Sequence, residues 1–157
     1  MRRRLVSVIG GSSCSEAEAA VAEEVGRLLA QAGVGVVCGG RGGVMEAACR
    51  GASLAGGLTV GLLPGDSPAE GNDYLTVAVP TGVGQARNVM VVRAGEAVIA
   101  IGGGFGTLSE IAHALRLAKP VVAVGSWGAT SPDGASLPVR RAATARQAVE
   151  LALGEGG

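Results

Sequence analysis

Short apolar runs that end abruptly at clusters of glycine recur along this sequence. Each run is followed by a glycine-rich turn and then by apolar residues at helical spacing. Three such units are residues 4–9 with the turn 10–13, residues 34–38 with the turn 39–43, and residues 97–101 with the turn 102–106. Because the runs are continuously apolar rather than alternating, they are typical of strands in a parallel sheet that is covered on both faces.

Glycine makes up 28 of the 157 residues, whereas a share of about 7% is usual. A disordered chain is excluded, because 48% of the residues are hydrophobic and the glycines separate apolar runs. Further strands are expected at 59–63, 74–79 and 121–124. A capping-box pattern at 15–18 indicates a first helix that stops at Gly33, and further helices are expected at 44–54, 84–93, 108–117 and 144–154. This alternation predicts an α/β fold: a doubly wound parallel sheet of about six or seven strands with helices on both faces, in a single domain over residues 1–157.

Composition excludes several classes of partner. The 13 basic residues balance the 13 acidic ones, and only one Phe, one Tyr and one Trp are present, so a nucleic-acid partner is not expected. No apolar run reaches 18 residues and no signal-peptide pattern opens the chain, so a membrane partner is not expected either. The 3 cysteines form no CxxC pattern, which favours free thiols and a cytoplasmic location.

The glycine turns predict a phosphate site. In a doubly wound sheet, ligands bind beyond the carboxyl ends of the strands, where these turns are expected to lie. Glycine lets backbone N–H groups approach a ligand closely, and the N-terminus of the following helix favours an anion. Residues 102–107 do not match GxGxxG, and the sequence contains no GK[ST]. The usual dinucleotide-binding and P-loop ATPase functions are therefore not expected.

Thr107 and Glu110 have two interpretations that the pattern alone leaves open. T-x-x-E is a helix capping box, whereas a Glu that faces a bound phosphate ester would be a catalytic carboxylate. Arg87 and Asn88 stand at the head of a predicted helix whose next four residues are apolar, so this helix is expected to be largely buried. Arg87 either faces solvent or selects a ligand, and Asn88 either orients a substrate or caps the helix. Arg41, in the second glycine turn, has the same two alternatives.

The remaining chemistry-bearing residues predict little. His113 is the only histidine, and without a second His or clustered carboxylates no metal site is expected. A nucleophile triad based on histidine is not expected either, because the candidate nucleophiles Cys14, Ser12 and Ser13 would all need this one base. Lys119 is the only lysine and directly precedes the run 121–124, which places it at the opposite edge of the sheet from the glycine turns. A Schiff-base lysine in the site is therefore not expected.

Motifs along nearly the whole chain resemble those of the Lonely Guy (LOG) proteins, which are also called putative lysine decarboxylases. GGGFGTLSE at 102–110 is similar to their PGGxGTxxE signature, CGGRGGVMEAA at 38–48 to their second glycine motif, and IGGSS at 9–13 to their first loop. The resemblance implies a Rossmann-like fold and a phosphoribohydrolase that splits cytokinin nucleoside 5′-monophosphates into base and ribose 5-phosphate. It also implies that Arg87 and Glu110 are a catalytic pair. The position of Lys119 argues against a lysine decarboxylase.

Two departures shift the expected function. Gly102 replaces the proline of the signature, and Gln85-Ala86-Arg87-Asn88 replaces the Met-His-x-Arg-Lys of the LOG proteins, so a His and a Lys are missing. Residues 86–122 more closely resemble the molybdenum-cofactor carrier branch, whose members bind the phosphorylated pterin cofactor and form tetramers. The sequence is therefore predicted to bind a phosphorylated, nucleotide-like ligand as a carrier of molybdenum cofactor. A nucleoside-monophosphate phosphoribohydrolase is the alternative, and a nucleotide sensor without turnover is a third candidate.

The resemblance also supplies the expected ligand-binding residues and partners. No cofactor is expected to be required, molybdenum cofactor is the expected bound ligand, and the chain is expected to form a homodimer or homotetramer. Nothing in the pattern predicts a role for the loops 64–73 and 125–138. The expected phosphate- and ligand-binding residues are Gly11, Ser12, Gly39, Gly40, Gly43, Met45, Asn88, Gly103, Gly104, Phe105, Gly106 and Thr107.

Overall fold

The structure is a computed structural model that describes residues 1–154, so the last three residues of the predicted domain 1–157 lie outside the described part. Within residues 1–154, the apolar runs form strands and the stretches between them form helices. The strands are β1 (Leu5–Gly10), β2 (Gly35–Cys38), β3 (Thr59–Leu63), β4 (Val77–Pro80), β5 (Val98–Ile101), β6 (Val121–Val124) and β7 (Arg140–Arg141). The helices are α1 (Glu16–Gln31), α2 (Val44–Leu54), α3 (Arg87–Ala94), α4 (Phe105–Arg116) and α5 (Ala145–Ala152).

The strands form one parallel sheet in the order β4-β3-β2-β1-β5-β6-β7. Helices α1, α2 and α5 cover one face of the sheet, and α3 and α4 cover the other. The predicted doubly wound α/β fold of six or seven strands is therefore confirmed. None of the helices within residues 1–154 has the length and apolar character needed to span a bilayer.

The centre of the sheet is where the chain changes direction. From β1 it adds strands to one side as far as β4, and then it returns to place β5 on the other side of β1. Gly10 at the end of β1 pairs with Ile101 at the end of β5. The first and third glycine turns therefore leave the sheet next to each other, at the position where open α/β sheets bind ligands.

Some predicted elements differ from the structure for physical reasons. β4 begins at Val77 instead of residue 74, and the carbonyl of Tyr74 accepts a hydrogen bond from the Thr59 hydroxyl at 2.6 Å. The helix predicted at 84–93 begins as a 3₁₀ turn, and Met90 of α3 is 43% exposed, so the expectation of a largely buried helix was wrong. The short strand β7 consists of two exposed arginines, and therefore no apolar pattern could predict it.

Two smaller expectations are confirmed. Ser15 caps α1: its hydroxyl accepts the Glu18 N–H at 3.1 Å, and the Glu18 carboxylate accepts the Ser15 N–H at 3.0 Å. This is the capping box that the sequence predicts there. The three cysteines, Cys14, Cys38 and Cys49, are free thiols.

Glycine also serves helix packing in this fold. Helices α1 and α2 cross in direct backbone contact, since a Cβ at Gly26 would lie 2.0 Å from the Ala48 carbonyl oxygen. On the other helix, a Cβ at Gly51 would lie 1.9 Å from the Glu23 carbonyl oxygen. Neither oxygen can move without shifting a helix, so part of the high glycine content is needed for this crossing and not for ligand binding.

We expect Gly26→Ala to destabilise the protein by about 1–3 kcal/mol, the usual cost of overpacking a tight interface. Alanine is a better helix former than glycine by roughly 1 kcal/mol. A decrease in the free energy of unfolding would therefore come from the steric contact with α2 and not from helix propensity. Urea unfolding followed by circular dichroism measures the change. Ala20→Gly, at an exposed position of α1, is the control for propensity alone. Equal or higher stability of Gly26→Ala would show that the two helices separate freely.

Candidate functional site

A cavity of about 690 Å³ opens at the carboxyl ends of β1, β2 and β5. Its walls come from the three glycine turns, the 3₁₀ turn that precedes α3, and the first turns of α3 and α4. Its size is within the range of small-molecule sites, about 300–1,000 Å³. The lining residues are Val8, Ile9, Gly10, Gly11, Ser12, Ser13, Glu18, Gly39, Arg41, Met45, Pro64, Gln85, Arg87, Asn88, Gly103, Gly104, Gly106, Thr107 and Glu110.

The third glycine turn presents a run of unpaired backbone donors to this region. Within residues 1–154, the N–H groups of residues 103–107 donate to no acceptor, and the helical bonds of α4 begin with Leu108 N–H to the Gly104 carbonyl at 3.1 Å. No side chain caps the helix. Successive N–H groups without an intrahelical acceptor at a helix N-terminus carry partial positive charge, so this run is suited to an anionic ligand.

The first residue of α4 corrects a prediction. The helix begins at Phe105 and not at residue 108, with Gly104 as an extended N-cap residue. Thr107 and Glu110 therefore lie inside the helix, and the capping-box interpretation of T-x-x-E is wrong. Both side chains are buried, with 3% and 8% exposure. Of the two interpretations of Glu110, the one that remains is a carboxylate that faces the cavity.

Thr107 packs against the glycine turn instead of capping the helix. A Cβ at Gly103 would lie 2.2 Å from the Thr107 hydroxyl oxygen, and Gly103 has a φ of +99°. Both facts require glycine, because side chains of L-residues rarely adopt that backbone conformation. The turn is thus held close over the first turn of α4, which keeps its N–H groups together.

Arg87 lies across the end of β2. A Cβ at Gly39 would lie 1.8 Å from its Nη1 atom, so the glycine leaves room for the guanidinium. The Nε atom is buried and has no hydrogen-bond partner in the described residues. Arg87 also forms no ion pair within residues 1–154, and burial lowers its pKa while Glu110 acts in the opposite direction. An unpaired, partly buried guanidinium beside a cavity is suited to an anion.

Glu110 projects from the second turn of α4 into the same cavity. Burial raises its pKa to about 7, and the nearby Arg87 partly offsets that rise. No hydrogen bond to its carboxylate forms within the described residues. A carboxyl group whose pKa lies near neutrality can both donate and accept a proton, which is a common property of functional sites.

The structure brings most of the expected ligand-binding residues to the cavity, but not all. Gly40 instead donates its N–H to the Cys38 sulfur at 3.3 Å. A Cβ at Gly43 would lie 2.2 Å from the Gly11 carbonyl oxygen, so this glycine serves the contact between two turns. Phe105 is 81% exposed and its ring stacks on Trp127. These three residues do not line the cavity, although the backbone N–H of Phe105 lies between Gly104 and Gly106, which do line it.

Several lining residues were missed or left open by sequence reasoning. Ser13, Glu18, Pro64 and Gln85 line the cavity without having been expected there. The capping box that contains Glu18 directly follows the first glycine turn, and that proximity was the available signal. Arg41 also lines the cavity, and its guanidinium lies 3.5 Å from the Glu70 carboxylate.

Comparisons with known proteins agree with this architecture. A family model described as the SLOG cluster4 family matches residues 3–151. An uncharacterized protein of Archaeoglobus fulgidus is 42% identical over 124 residues, which are 79% of this chain and 82% of that protein. The molybdenum cofactor binding protein of the phototrophic bacterium Rippkaea orientalis superposes with a TM-score of 0.85 at 33% identity, over 98% of each chain. The molybdenum cofactor carrier protein of Chlamydomonas reinhardtii does so with a TM-score of 0.81 at 30% identity, also over 98% of each chain.

Proposed function

This chain belongs to the SLOG cluster4 family, and from that premise and the cavity we propose that it binds molybdenum cofactor, or a related phosphorylated ligand, as a carrier. The observation that carries the proposal is the run of unpaired N–H groups at residues 103–107 beside the unpaired guanidinium of Arg87. Two solved structures of at least 30% identity, described as a molybdenum cofactor binding protein and a molybdenum cofactor carrier protein, support the choice of ligand.

The residues present fit a phosphate monoester. Successive N–H groups and a helix N-terminus supply partial positive charge without a side chain, and Arg87 would add a full charge to them. Thr107 would hold the turn in the shape that presents these donors. Molybdenum cofactor supplies the phosphate and a pterin ring, and a cavity of about 690 Å³ has the volume for a ligand of that class.

A pair of variants at Phe105 tests the phosphate site. Proline is well tolerated at the first position of a helix, so Phe105→Pro would remove one N–H without breaking α4. Phe105→Ala loses the same exposed ring but keeps that N–H, and is the matched control. Since a hydrogen bond to a charged group contributes about 1.5–3 kcal/mol, we expect Phe105→Pro to bind inorganic phosphate at least roughly tenfold more weakly. Isothermal titration calorimetry measures both variants.

The ligand itself is tested by incubating the protein with molybdenum cofactor and measuring bound molybdenum after gel filtration. Stoichiometric binding that inorganic phosphate displaces, and that Phe105→Pro weakens, would support the carrier. Equal phosphate affinity in Phe105→Pro and Phe105→Ala would show that the N–H of residue 105 does not bind the phosphate, which would contradict the assignment of the N–H run to the site. A protein that binds neither phosphate nor the cofactor would contradict the proposal as a whole.

A phosphoribohydrolase is the second candidate, and the position of Glu110 favours it. A carboxyl group beside Arg87, with its pKa raised to about 7, could stabilise the oxocarbenium-like state of glycosidic cleavage. Incubation with AMP and isopentenyl-AMP, followed by an assay for ribose 5-phosphate, distinguishes the two functions. Release of sugar phosphate that disappears in Glu110→Gln would establish the hydrolase. Binding of molybdenum cofactor without any release of ribose 5-phosphate would support the carrier function and contradict the hydrolase.

The remaining predictions stay proposals. We propose a homodimer or homotetramer in the cytoplasm and a single domain over residues 1–157. Exposed apolar residues on the edge strand β4 support an assembly: Val77 is 43% exposed and Val79 is 38% exposed. Such residues on one face of a sheet edge are suited to contact with another protein surface.

A further inference from the structure

The segment 125–128 binds the third glycine turn from outside the cavity. The Ser126 hydroxyl donates to the Gly102 carbonyl at 2.5 Å, and the Trp127 indole N–H donates to the Gly104 carbonyl at 3.0 Å. Neither Ser126 nor Trp127 is among the residues that line the main cavity. These two bonds therefore hold carbonyl groups of the turn from the side that a ligand in that cavity would not occupy.

In this turn, the direction of each bound carbonyl group determines the direction of the next N–H group. In a trans peptide the C=O of one residue and the N–H of the next point in opposite directions, and the peptides of this turn are trans. With the Gly102 carbonyl bound by Ser126, the Gly103 N–H must point away from Ser126. The Gly104 carbonyl accepts the Trp127 indole N–H in addition to the Leu108 N–H of α4, and these two bonds together fix the direction of the Phe105 N–H. Both N–H groups belong to the unpaired run of residues 103–107.

The guanidinium of Arg141 fixes the position of the segment 125–128. Arg141 donates to the Ser126 carbonyl at 2.8 Å and to the Trp127 carbonyl at 2.9 Å. It lies on the two-residue strand β7, which pairs with β6 of the central sheet. A Cβ at Gly128 would lie 2.3 Å from the same guanidinium, so the segment follows it closely. The sheet, through Arg141, thus sets the position of Ser126 and Trp127.

We propose that Ser126, Trp127 and Arg141 form a loop clamp, a set of positioning residues that orients the glycine-turn N–H groups for the ligand phosphate. The clamp rests on the proposed function, because its purpose is to hold donors for an anion. It explains three features that the cavity alone does not: the short strand β7, the hydrogen bonds that tie a partly exposed loop to the glycine turn, and the absence, within residues 1–154, of any side-chain cap on α4. Without the clamp, a turn with three successive glycines has many conformations of similar energy.

Variants that remove one hydrogen-bond donor of the clamp distinguish its effect on the orientation of the glycine turn from its effect on side-chain packing. Trp127→Phe removes the indole N–H but keeps an aromatic ring against Phe105, where the rings lie 5.8 Å apart. Ser126→Ala removes the hydroxyl, and Ser126→Thr restores it. Ser131→Ala is the matched control, because Ser131 is a half-buried serine of the same loop whose hydroxyl, within residues 1–154, bonds to Asp133 and Ala135 and not to the glycine turn.

The measurement is the affinity for inorganic phosphate by calorimetry, together with the amide NMR shifts of Gly103 and Phe105 without phosphate and the thermal midpoint. We expect Trp127→Phe and Ser126→Ala each to bind phosphate roughly three- to tenfold more weakly. Their Gly103 and Phe105 amide shifts should change, while Ser126→Thr and Ser131→Ala remain like the wild type. Affinities are compared well below the thermal midpoint of every variant, so that all are folded.

Each outcome decides between the proposals. If the wild type binds phosphate and both donor variants bind it equally well, the clamp is wrong and the phosphate site stands. The clamp is also wrong if Ser131→Ala or Ser126→Thr loses as much affinity as Ser126→Ala. If the wild type itself binds no phosphate, the proposed function fails and the clamp fails with it.

Discussion

Arg87→Ala should bind inorganic phosphate about ten- to a hundredfold more weakly than the wild type. The guanidinium has no ion-pair partner within residues 1–154, and its Nε atom is buried without an acceptor, so a bound anion would be its main partner. A hydrogen bond to a charged group contributes about 1.5–3 kcal/mol, and each 1.4 kcal/mol is tenfold in affinity. Arg87→Lys should be intermediate, since lysine keeps the charge but lacks the planar fork of donors.

Arg93→Ala is the matched control for that experiment. Arg93 lies on the same helix α3 but is exposed and does not line the cavity. Its removal changes net charge by the same amount and should leave phosphate affinity unchanged at moderate salt. If Arg87→Ala and Arg93→Ala bind phosphate equally, the effect of Arg87 is general electrostatics, and the guanidinium does not contact the ligand.

The second large effect is a pH dependence of stability that originates at Glu110. Burial raises its folded pKa to about 7 from an ordinary value of 4.5. Below pH 4.5 the group is protonated in both states, and no penalty applies. As pH rises from 4.5 through 7, the unfolded chain ionises first and the folded protein loses stability, up to a plateau above pH 7. The pKa difference corresponds to a loss on the order of 3 kcal/mol.

Glu110→Gln should lack this loss, so the difference in unfolding free energy between it and the wild type should grow from pH 5 to pH 8. Urea unfolding at several pH values measures it, and Glu150→Gln, at an exposed position of α5, is the control. In an Arg87→Ala background the change should move to higher pH, because Arg87 lowers the pKa of Glu110. A constant difference between wild type and Glu110→Gln across this range would mean that the carboxyl group titrates normally.

Helices and strands whose ends are marked by glycine or proline could be predicted from the sequence. β3, β6 and α2 have the predicted bounds, because glycine or proline stands beside an apolar run or a helical pattern. β7 could not be predicted, since its two arginines owe their strand conformation to pairing with β6. The edge strand β4 also differs, because the Thr59 hydroxyl of its neighbour β3 bonds to the Tyr74 carbonyl and to the Thr76 hydroxyl, and regular pairing starts only at Val77.

The site was partly predictable for the same kind of reason. Glycine turns and charged residues at strand ends indicated the cavity wall, including Arg87 and Glu110. The start of α4 was misplaced, because three successive glycines carry no side chain that marks where helical geometry begins. Glu18 reaches the cavity from the helix after the first turn, and only the spatial proximity of β1 and β5 places it there. The role of Trp127 depends on a loop without any periodic pattern.

The pairing of Gly10 with Ile101 also has a consequence for the newly made chain. Two walls of the cavity come from segments that are far apart in sequence, and contacts of this kind form late in folding. A nascent chain that ends before β5 contains the first two glycine turns but lacks Glu110 and the donors of residues 103–107. On the proposed function, such a chain could not hold the ligand, and only a chain synthesised through α4 could be stabilised by binding through mass action. Loading would then be confined to molecules that contain both β5 and α4.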